Sequence, residues 1–401
     1  MESLAPLADA ARAELVDHIL PFWADRAVDD ERGGFVGRID GHGRLVPDAP
    51  KGVVLNARIL WTFAAAARVL GTDRWRALAD RAYDALRQFQ DPEHGGVFWM
   101  VEAGGTPRDT KKQTYAQAFA LYALAEVHRL DGHAEALDWA KEIYALLEER
   151  AVDPAHGGYW EAFARDWGPA ADVRLSEKDE DAPKSMNTHL HVLEAYTALH
   201  RVWPDAGLAD RLRALLRIFL DRVVDSETGH ERAFFAADWA PTSGLVSYGH
   251  DVEASWLLDE AAVVLGDDAL VAEVRPVALR LARVSLDEGL DADGGLFNER
   301  HADGHLDDDK HWWPQAEAVV GFLNAYEHTG DAAFAEAALR TWGFVQRHVV
   351  DRDGGEWHFR VTRDGRPYRD EENKVGPWKC PYHNARACLE IMERAGALVS
   401  P

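Results

Sequence analysis

The feature that most constrains the fold is an acidic turn ending in glycine, which recurs six times along the 401 residues. The turns begin at Asp29, Asp91, Asp153, Asp225, Asp291 and Asp351. Their first glycines are Gly33, Gly95, Gly157, Gly229, Gly294 and Gly354, separated by 62, 62, 72, 65 and 60 residues. A nearly fixed period indicates one supersecondary unit used repeatedly. A closed ring of such units brings equivalent helix ends together.

The stretches between the turns are predicted to be helices of two kinds. Residues 73–90 place apolar groups at helical spacing with charges opposite them, which is typical of a helix with one exposed face. Residues 114–127 are apolar almost all round, as expected of a helix buried on most sides. Buried helices are predicted near 54–70, 113–130, 186–202, 249–265, 312–328 and 381–395, and amphipathic helices near 7–26, 73–90, 133–150, 206–223, 267–288 and 331–350.

Six helices of each kind predict an inner ring inside an outer ring, an all-α (α/α)6 barrel with short β-hairpins in the connecting loops. An open superhelix of helix pairs is the alternative. The chain has no Ser/Gly/Pro-rich linker, low-complexity tract or charged tail, and its 47% apolar content can supply a large core. We therefore expect a single domain spanning residues 1–401.

Charge and leader features favour a cytoplasmic enzyme. The formal net charge of −25 argues against partners that are nucleic acids or anionic membranes. The first residues show no basic region followed by an apolar run, and no uncharged apolar stretch of about eighteen residues predicts a membrane span. Cys380 and Cys388 do not form a plausible disulfide framework. We expect a monomer or a homodimer.

Reactive residue types concentrate at the predicted starts of the buried helices. Asn187 and His191 are four residues apart, as are Trp313 and Glu317, so each pair lies on one helical face. The other members of this set are Arg58, Tyr115, His250, Glu253, Trp256, Trp378 and His383. If the barrel closes, these groups point into one mouth.

Each residue type in this mouth has a structural and a functional interpretation. Burying several imidazoles and two carboxylates without a purpose would be costly. Glu253 and Glu317 are either acidic residues near a helix N-terminus, where the helix dipole stabilises them, or groups that orient a histidine through its second ring nitrogen. Trp313 and Trp378 are either core aromatics or flat faces for a pyranose ring. Arg58 either pairs with a carboxylate or stabilises a developing oxyanion.

No metal site is expected from the spacing of the ligand-type residues. The acidic turns lack the spacing of an EF-hand loop, and no His or Cys set has zinc-site spacing.

Four stretches resemble the N-acylglucosamine 2-epimerase superfamily, and within it the cellobiose 2-epimerases. These stretches are Lys-Ser-Met-Asn-Thr-His-Leu-His-Val-Leu-Glu-Ala-Tyr from 184, Gly-His-Asp-Val-Glu-Ala-Ser-Trp-Leu-Leu from 249, Trp-Trp-Pro-Gln-Ala-Glu-Ala-Val-Val-Gly-Phe from 312 and Lys-Cys-Pro-Tyr-His-Asn-Ala-Arg-Ala-Cys-Leu from 379. Weaker matches, Asn-Ala-Arg from 56 and Thr-Tyr-Ala-Gln-Ala-Phe from 114, extend the resemblance to the first two units. Members of this superfamily adopt an (α/α)6 barrel, in agreement with the repeat count.

The resemblance implies a cofactor-independent sugar 2-epimerase, acting on the reducing-end glucose or mannose unit of a β-1,4-linked disaccharide. A base removes the C2 proton of the opened aldose to give a cis-enediolate, and a proton returned to the opposite face gives the epimer. The resemblance implies that His250 and His383 are the acid–base pair, that Arg58 stabilises the enediolate and that Glu253 orients His250.

The remaining residues are implied to hold the sugar. His191 and Asn187 would bind hydroxyl groups or assist ring opening. Trp313 and Trp378 would stack on the sugar rings, Glu317 would hydrogen-bond them and Tyr115 would help to position them. Trp256, one helical turn beyond Glu253, belongs to the same sugar-binding set.

Three other functions remain open at the level of sequence. An aldose–ketose isomerase converting mannose to fructose shares the Arg, His and Glu core and differs in which carbon receives the proton. An inverting glycoside hydrolase on the same barrel would recruit Glu253 and Glu317 at roughly 6.5–9.5 Å separation, leaving the histidines unexplained. A non-catalytic sugar-binding protein would not need so complete a polar set.

Overall fold

The computed structural model describes residues 4–399, and within them the helices alternate between an outer and an inner layer. The outer helix α1 comprises the segments Ala5–Ala13, Glu14–Ile19 and Leu20–Arg26. The other outer helices are α3 (Asp73–Arg87), α5 (Ala134–Leu146), α7 (Ala206–Ile218), α9 (Asp268–Val284) and α11 (Ala332–Phe344). The inner helices are α2 (Val53–Leu70), α4 (Thr114–Asp131), α6 (Met186–Val202), α8 (Tyr248–Leu265), α10 (Trp312–Thr329) and α12 (Tyr382–Val399).

The inner helices form a closed ring. Each packs against the next, and α12 packs against α2. Every inner helix also packs against the outer helix that follows it, while α12 takes α1 from the start of the chain as its outer partner. The (α/α)6 barrel is therefore confirmed, and the open superhelix is wrong.

The burial pattern explains which helices lie inside. In α4, residues 114–127 are all buried, whereas α3 buries only Trp75, Ala79, Ala82, Ala85 and Leu86. α2 is the one helix in the described range long and apolar enough to cross a membrane, and 83% of its 18-residue window is buried inside the protein. Its apolar length thus serves the barrel core.

Most outer helices end in a wider π-helical turn that the helical periodicity did not predict. These turns are Leu147–Ala151, Phe219–Val223, Ser285–Gly289 and Val345–Val349, while in α1 the π-helical segment Glu14–Ile19 lies inside the helix. A π turn accommodates an extra residue within a helix. Here it leads directly into the acidic glycine turn.

Short strands connect the units at one end of the barrel. Their bounds are Ile39–Asp40, Lys51–Gly52, Met100–Val101, Pro107–Asp109, Lys112–Gln113, Ala162–Phe163, Lys184–Ser185, Phe234–Phe235, Val246–Ser247, Glu299–Arg300, Leu306–Asp307, Lys310–His311, Arg360–Val361 and Asn373–Val375. The strand directly ahead of each inner helix pairs antiparallel with the strand after the next acidic turn. In the last unit Asn373–Val375 pairs with Ile39–Asp40, which closes the ring of strands as well.

A buried lysine ties each acidic turn to the strand ahead of the inner helix in five of the six units. We call these residues the turn lysines; their ammonium groups lie 2.7–3.2 Å from the first aspartate of the turn in the pairs Lys51–Asp29, Lys112–Asp91, Lys184–Asp153, Lys310–Asp291 and Lys374–Asp351. Each turn lysine also donates to a glycine carbonyl of its turn. The turns therefore fix where the inner helices begin.

Candidate active site

The first two turns of the inner helices converge at the strand-bearing end of the barrel. The second helical residue supplies Tyr115, Asn187, Trp313 and His383, and the sixth supplies Arg58, His191, Glu253 and Glu317. Positions two and six are four residues apart, so they share one helical face. His250, at the third position of α8, joins the same set.

These residues surround a cavity of 530 Å³. From the predicted set its lining includes Arg58, Tyr115, Asn187, His191, His250, Glu253, Trp313, Trp378 and His383. A cavity of 640 Å³ opens among the opposite ends of the inner helices, but arginines there are already paired, as Arg68 is with Glu126 at 2.6 Å. Only the first cavity combines several imidazoles with a guanidinium, so it is the candidate site.

His383 is anchored by a carboxylate. Its Nδ1 lies 2.7 Å from Oε1 of Glu317, and the ring is 4% exposed. Burial, together with the positive charges of Arg58 and Arg386, holds the pKa of His383 well below its ordinary value. The imidazole is therefore neutral near pH 7. Because Nδ1–H donates to Glu317, Nε2 carries the free lone pair, the form required of a proton acceptor.

His191 is anchored in the same manner. Its Nδ1 lies 2.9 Å from Oε2 of Glu194. Burial lowers the pKa of His191, although Glu194 opposes the shift. Burial disfavours ionised Glu194, but the charge of Arg386 and the hydrogen bond from His191 outweigh it and lower the pKa of Glu194 to about 2. His191 thus presents a neutral, fixed imidazole to the cavity.

One buried guanidinium joins the carboxylates behind the cavity. Arg386 Nη2 donates to Glu253 at 2.6 Å and to Glu317 at 2.7 Å, and Nη1 donates to Glu194. Glu194 also accepts a hydrogen bond from the Tyr382 hydroxyl. Arg386 therefore connects the anchors of His191 and His383.

Sequence reasoning assigned no role to Arg386 or Glu194, although both lie in the stretches that carried the resemblance. The available signal was spacing: each stands three residues after a site histidine, on the same helical face. Charged residues so placed inside an apolar helix need partners.

Two predicted roles of the glutamates are wrong in their details. Glu253 does not orient His250; its Oε1 is held by Arg386 and lies 3.9 Å from His383 Nδ1. Glu317 does not line the cavity, and it orients His383 instead of the sugar. Of the two glutamates, Glu317 is the one within hydrogen-bond distance of a histidine ring nitrogen.

Trp256 also lies behind the cavity wall, contrary to its predicted contact with sugar. Its indole Nε1 donates to Oε2 of Glu317 at 3.1 Å, and the side chain is 2% exposed. Its position supports the carboxylate that anchors His383.

Burial gives Glu253 an unusual protonation state. Burial and the nearby charge of Glu317 raise the pKa of Glu253 to about 8, against the opposing effect of Arg386. Burial also raises the pKa of Glu317. Two carboxyl groups that share one guanidinium nitrogen resist ionising together. Glu253 therefore holds a proton at neutral pH.

His250 has an uncharged anchor. Its Nδ1 lies 2.8 Å from the hydroxyl oxygen of Ser247. Burial, and next the neighbouring His191, lower the pKa of His250 to about 3. The ring centroid of Trp313 lies 4.7 Å from that of His250 and 5.7 Å from that of His383. The two imidazoles thus flank one aromatic face.

Arg58 supplies the positive charge of the cavity wall. Its Nη2 donates to the Tyr115 hydroxyl at 2.8 Å, and its guanidinium carbon lies 4.1 Å from the ring centroid of Phe119. Burial raises the pKa of Tyr115, so the phenol stays neutral and accepts this bond. The geometry suits a guanidinium held rigidly for an oxyanion.

Part of the cavity lining could not be predicted from the sequence. Residues 175–179, from the longest interval between turns, line the cavity together with Trp312, Phe359 and Lys379. Residues in irregular connections carry no periodic signal, so their approach to the site depends on three-dimensional closure.

The best cation-binding geometry in the described chain is already occupied by a side chain. Ligand atoms of Glu253, Glu317 and His383 lie within 4.8 Å of one another. Arg386 donates to both carboxylates, so its guanidinium provides the positive charge at that point.

The chain is similar to known proteins over nearly its whole length. Residues 33–387 match the family model of N-acylglucosamine 2-epimerase. The chain is 48% identical over 381 residues to the cellobiose 2-epimerase of Bacteroides fragilis, covering 94% of this chain and 97% of that protein. It is 42% identical over 385 residues to the cellobiose 2-epimerase of Ruminococcus albus, with coverage of 96% and 97%.

Solved structures give the same picture. The cellobiose 2-epimerase of Bacillus thermoamylovorans B4167 superposes with a TM-score of 0.93 at 42% identity, covering 97% of this chain and 99% of that one. A D-mannose isomerase superposes with a TM-score of 0.83 at 23% identity, which establishes a common fold.

Proposed function

The chain belongs to the N-acylglucosamine 2-epimerase family, and from this membership we propose that it inverts C2 of the reducing-end glucose or mannose unit of a β-1,4-linked disaccharide. It is a carbohydrate epimerase of the isomerase class. The observation that carries the substrate class is the 48% identity to a cellobiose 2-epimerase across nearly the full length of both chains.

We assign the proton transfers to His250 and His383. One neutral imidazole takes the C2 proton through Nε2; the C–H electron pair forms a C1–C2 double bond, and the carbonyl electrons move to O1. The other imidazole, neutral in the free enzyme, takes up a proton from solvent once the cis-enediolate has formed beside it. It then gives that proton to the opposite face of C2; the C1–C2 π electrons form the new C2–H bond and the C1 carbonyl is restored. An enediolate beside an imidazole favours the imidazolium.

The rest of the cavity suits the remaining demands of this reaction. Arg58 is placed to stabilise the enediolate oxygens. Asn187 Oδ1 is buried and has no hydrogen-bond partner among residues 4–399, so it is available to a sugar hydroxyl. His191 presents a further neutral imidazole, and Trp313 and Trp378 offer flat faces to pyranose rings. The volume of 530 Å³ is ample for a disaccharide.

The test is incubation of cellobiose, and separately of mannose, in D2O. We expect the epimer of cellobiose with deuterium at C2. Fructose from mannose without the disaccharide epimer would show an aldose–ketose isomerase instead. Release of glucose without deuterium exchange would exclude both reactions.

Variants at the two histidines test their assignment. His250→Ala and His383→Ala should each reduce epimerisation by roughly 10²–10⁴-fold, the usual worth of a general acid or base. Each should also retain C2 exchange from only one epimer, because one base survives on one face. His301→Ala, at an exposed turn away from the cavity, is the matched control. A variant that epimerises at the control rate would remove that histidine from the pair.

A further inference from the structure

Ser247 is the N-cap residue of a helix, but its side chain does not cap that helix. It is the residue directly before α8, where a serine side chain commonly accepts from a first-turn N–H. Ser185, in the equivalent place before α6, does this by accepting from the Thr188 N–H at 3.1 Å. Ser247 makes no such side-chain bond to the described helix. Its hydroxyl lies 2.8 Å from His250 Nδ1 instead.

The backbone of Ser247 is fixed independently of this contact. Ser247 pairs with Glu299 in the strand ladder and is 5% exposed. Its hydroxyl is therefore held at the imidazole by the sheet, and the lost cap is not a consequence of local disorder.

The two imidazoles of the pair consequently have different partners. His383 donates Nδ1–H to the carboxylate of Glu317, an ionic acceptor that stabilises an imidazolium. His250 has only a hydroxyl, which can accept Nδ1–H without adding charge. The other groups acting electrostatically on His250 are His191, which disfavours its charged form, and Glu317, which favours it. His383 also faces Arg58 and Arg386, whose positive charges oppose its imidazolium. The two imidazoles therefore differ in the partner of Nδ1, which is ionic at His383 and uncharged at His250.

We propose that Ser247 is a positioning residue for proton transfer, holding His250 by an uncharged partner so that its imidazolium readily gives its proton to C2. This inference rests on the proposed epimerase function. In the donating step the Nε2–H bond breaks and the C2–H bond forms, while Nδ1–H remains hydrogen-bonded to the Ser247 hydroxyl. In the reverse direction the C2–H bond breaks and Nε2–H forms, again with Nδ1–H hydrogen-bonded to that hydroxyl.

The proposal predicts an asymmetric defect in Ser247→Ala. We expect kcat to fall roughly 10- to 100-fold, below the full worth of the base itself, with KM changed less than about 3-fold. Ser247→Thr keeps the hydroxyl and should restore kcat to within about 3-fold. Ser255→Ala removes a buried hydroxyl from α8 itself and is the matched control.

Deuterium exchange separates a positioning role from a structural one. For the epimer whose C2 hydrogen faces His383, Ser247→Ala should increase the ratio of C2-exchanged starting sugar to epimerised product. The reason is that the enediolate is then reprotonated on its original face more often than on the opposite face. For the other epimer, exchange and epimerisation should fall together. An equal loss in both directions with unchanged ratios would overturn the proposal.

A measurement that needs no turnover keeps the inference separate from the proposed function. Ser247→Asp places a carboxylate at Nδ1 and should raise the pKa of His250, observed by NMR titration of its imidazole, while His383 stays unchanged. An unaltered His250 titration would overturn the role of residue 247 even in an active enzyme. If Ser247→Asp raises the pKa of His250 but the wild-type protein never epimerises cellobiose, the proposed function alone is contradicted.

Discussion

At the scale of single residues, the site is organised by what anchors each imidazole. His191 and His383 are fixed by carboxylates that meet on Arg386, whereas His250 is fixed by a hydroxyl. The buried cation lets these carboxylates remain beside the histidines without an uncompensated charge. The hydrogen-bond partner of Nδ1 thus sets the basicity of each imidazole.

The pH dependence of kcat/KM follows from the shifted pKa values. His250, with its pKa lowered to about 3 by burial and His191, and His383, also lowered, stay neutral as the pH falls below 6.5. The acid limb should therefore lie at least about one unit below the ordinary histidine value. Glu253, with its pKa raised to about 8 by burial and Glu317, loses its proton above that pH. An alkaline limb near pH 8 is the expected consequence.

Initial rates from pH 4 to 10 check this profile, with Glu253→Gln as the comparison because it cannot titrate. The alkaline limb should move in that variant while the acid limb stays. An acid limb centred at or above pH 6.5 would contradict neutral imidazoles in the free enzyme.

Sequence patterns could predict most residues that face the cavity, but not their partners. Helical spacing placed Asn187 with His191 on one face, and the structure brings both to the cavity. Which carboxylate meets which imidazole depends on contacts between different helices, such as Glu317 on α10 with His383 on α12. Periodicity along one helix carries no such information.

At the scale of elements, the fourth unit departs from the other five. Val246 stands where they have a turn lysine, and Asp225 pairs with Arg232 at 3.0 Å. His230 bonds Asp251 at 2.7 Å instead. The next residue, Glu231, is buried where equivalent bridging positions hold Phe35, Val97, Tyr159, Leu296 and Trp357.

Replacing Glu231 by leucine should stabilise the protein. Neither carboxylate oxygen has a hydrogen-bond partner within residues 4–399. Burial, with Asp251 and Glu253, raises the pKa of Glu231 well above 4.5, so the folded state requires a proton that the unfolded chain releases. The penalty is absent below about pH 4.5 and grows as the pH rises. We expect Glu231→Leu to add about 1–3 kcal/mol to the free energy of unfolding at pH 8.

Denaturant unfolding at pH 5 and pH 8 measures this effect, and the gain should be smaller at pH 5. Glu227→Gln, at an exposed position of the same turn, is the control and should change little. Equal gains at both pH values would exclude the titration of Glu231 as their cause.

Element boundaries were the most predictable part of the fold. The apolar periodicity placed all twelve helices, and the acidic turns separated the two layers. The π turns were not foreseen, because one extra residue at a helix end does not alter the apolar pattern before it. The turn lysines were also missed, since a lysine beside a predicted helix reads as exposed until its aspartate is located.

At the scale of the whole molecule, the first outer helix, α1, closes the barrel by packing on the last inner helix, α12. The indole of Trp357 donates to Glu14 at 2.9 Å. His18 Nε2 lies 3.1 Å from the carbonyl oxygen of Asp351 in the last turn. The helix that bears His383 thus depends on residues from the first unit. We propose that residues 1–401 unfold as a single catalytic domain.

Deletion of residues 1–26 tests this closure. The shortened chain should lose soluble folded protein and epimerase activity together, because α12 would expose its outer face. Circular dichroism melting and activity of the soluble fraction are the measurements, with deletion of residues 1–3 as the control. A truncated protein that melts at the wild-type temperature would show that α1 is dispensable to the ring.

The ladder of strands and turn lysines carries an evolutionary consequence. It fixes the inner helix starts at their bases, so the segment between a turn and the following strand can change length without displacing the proton-transfer groups. In the 72-residue interval, the longer connecting segment contributes residues 175–179 to the cavity lining. Descendants of one ancestor can therefore diversify their sugars through this insertion while inheriting one reaction. Grafting the segment between relatives is then a direct route to altered specificity.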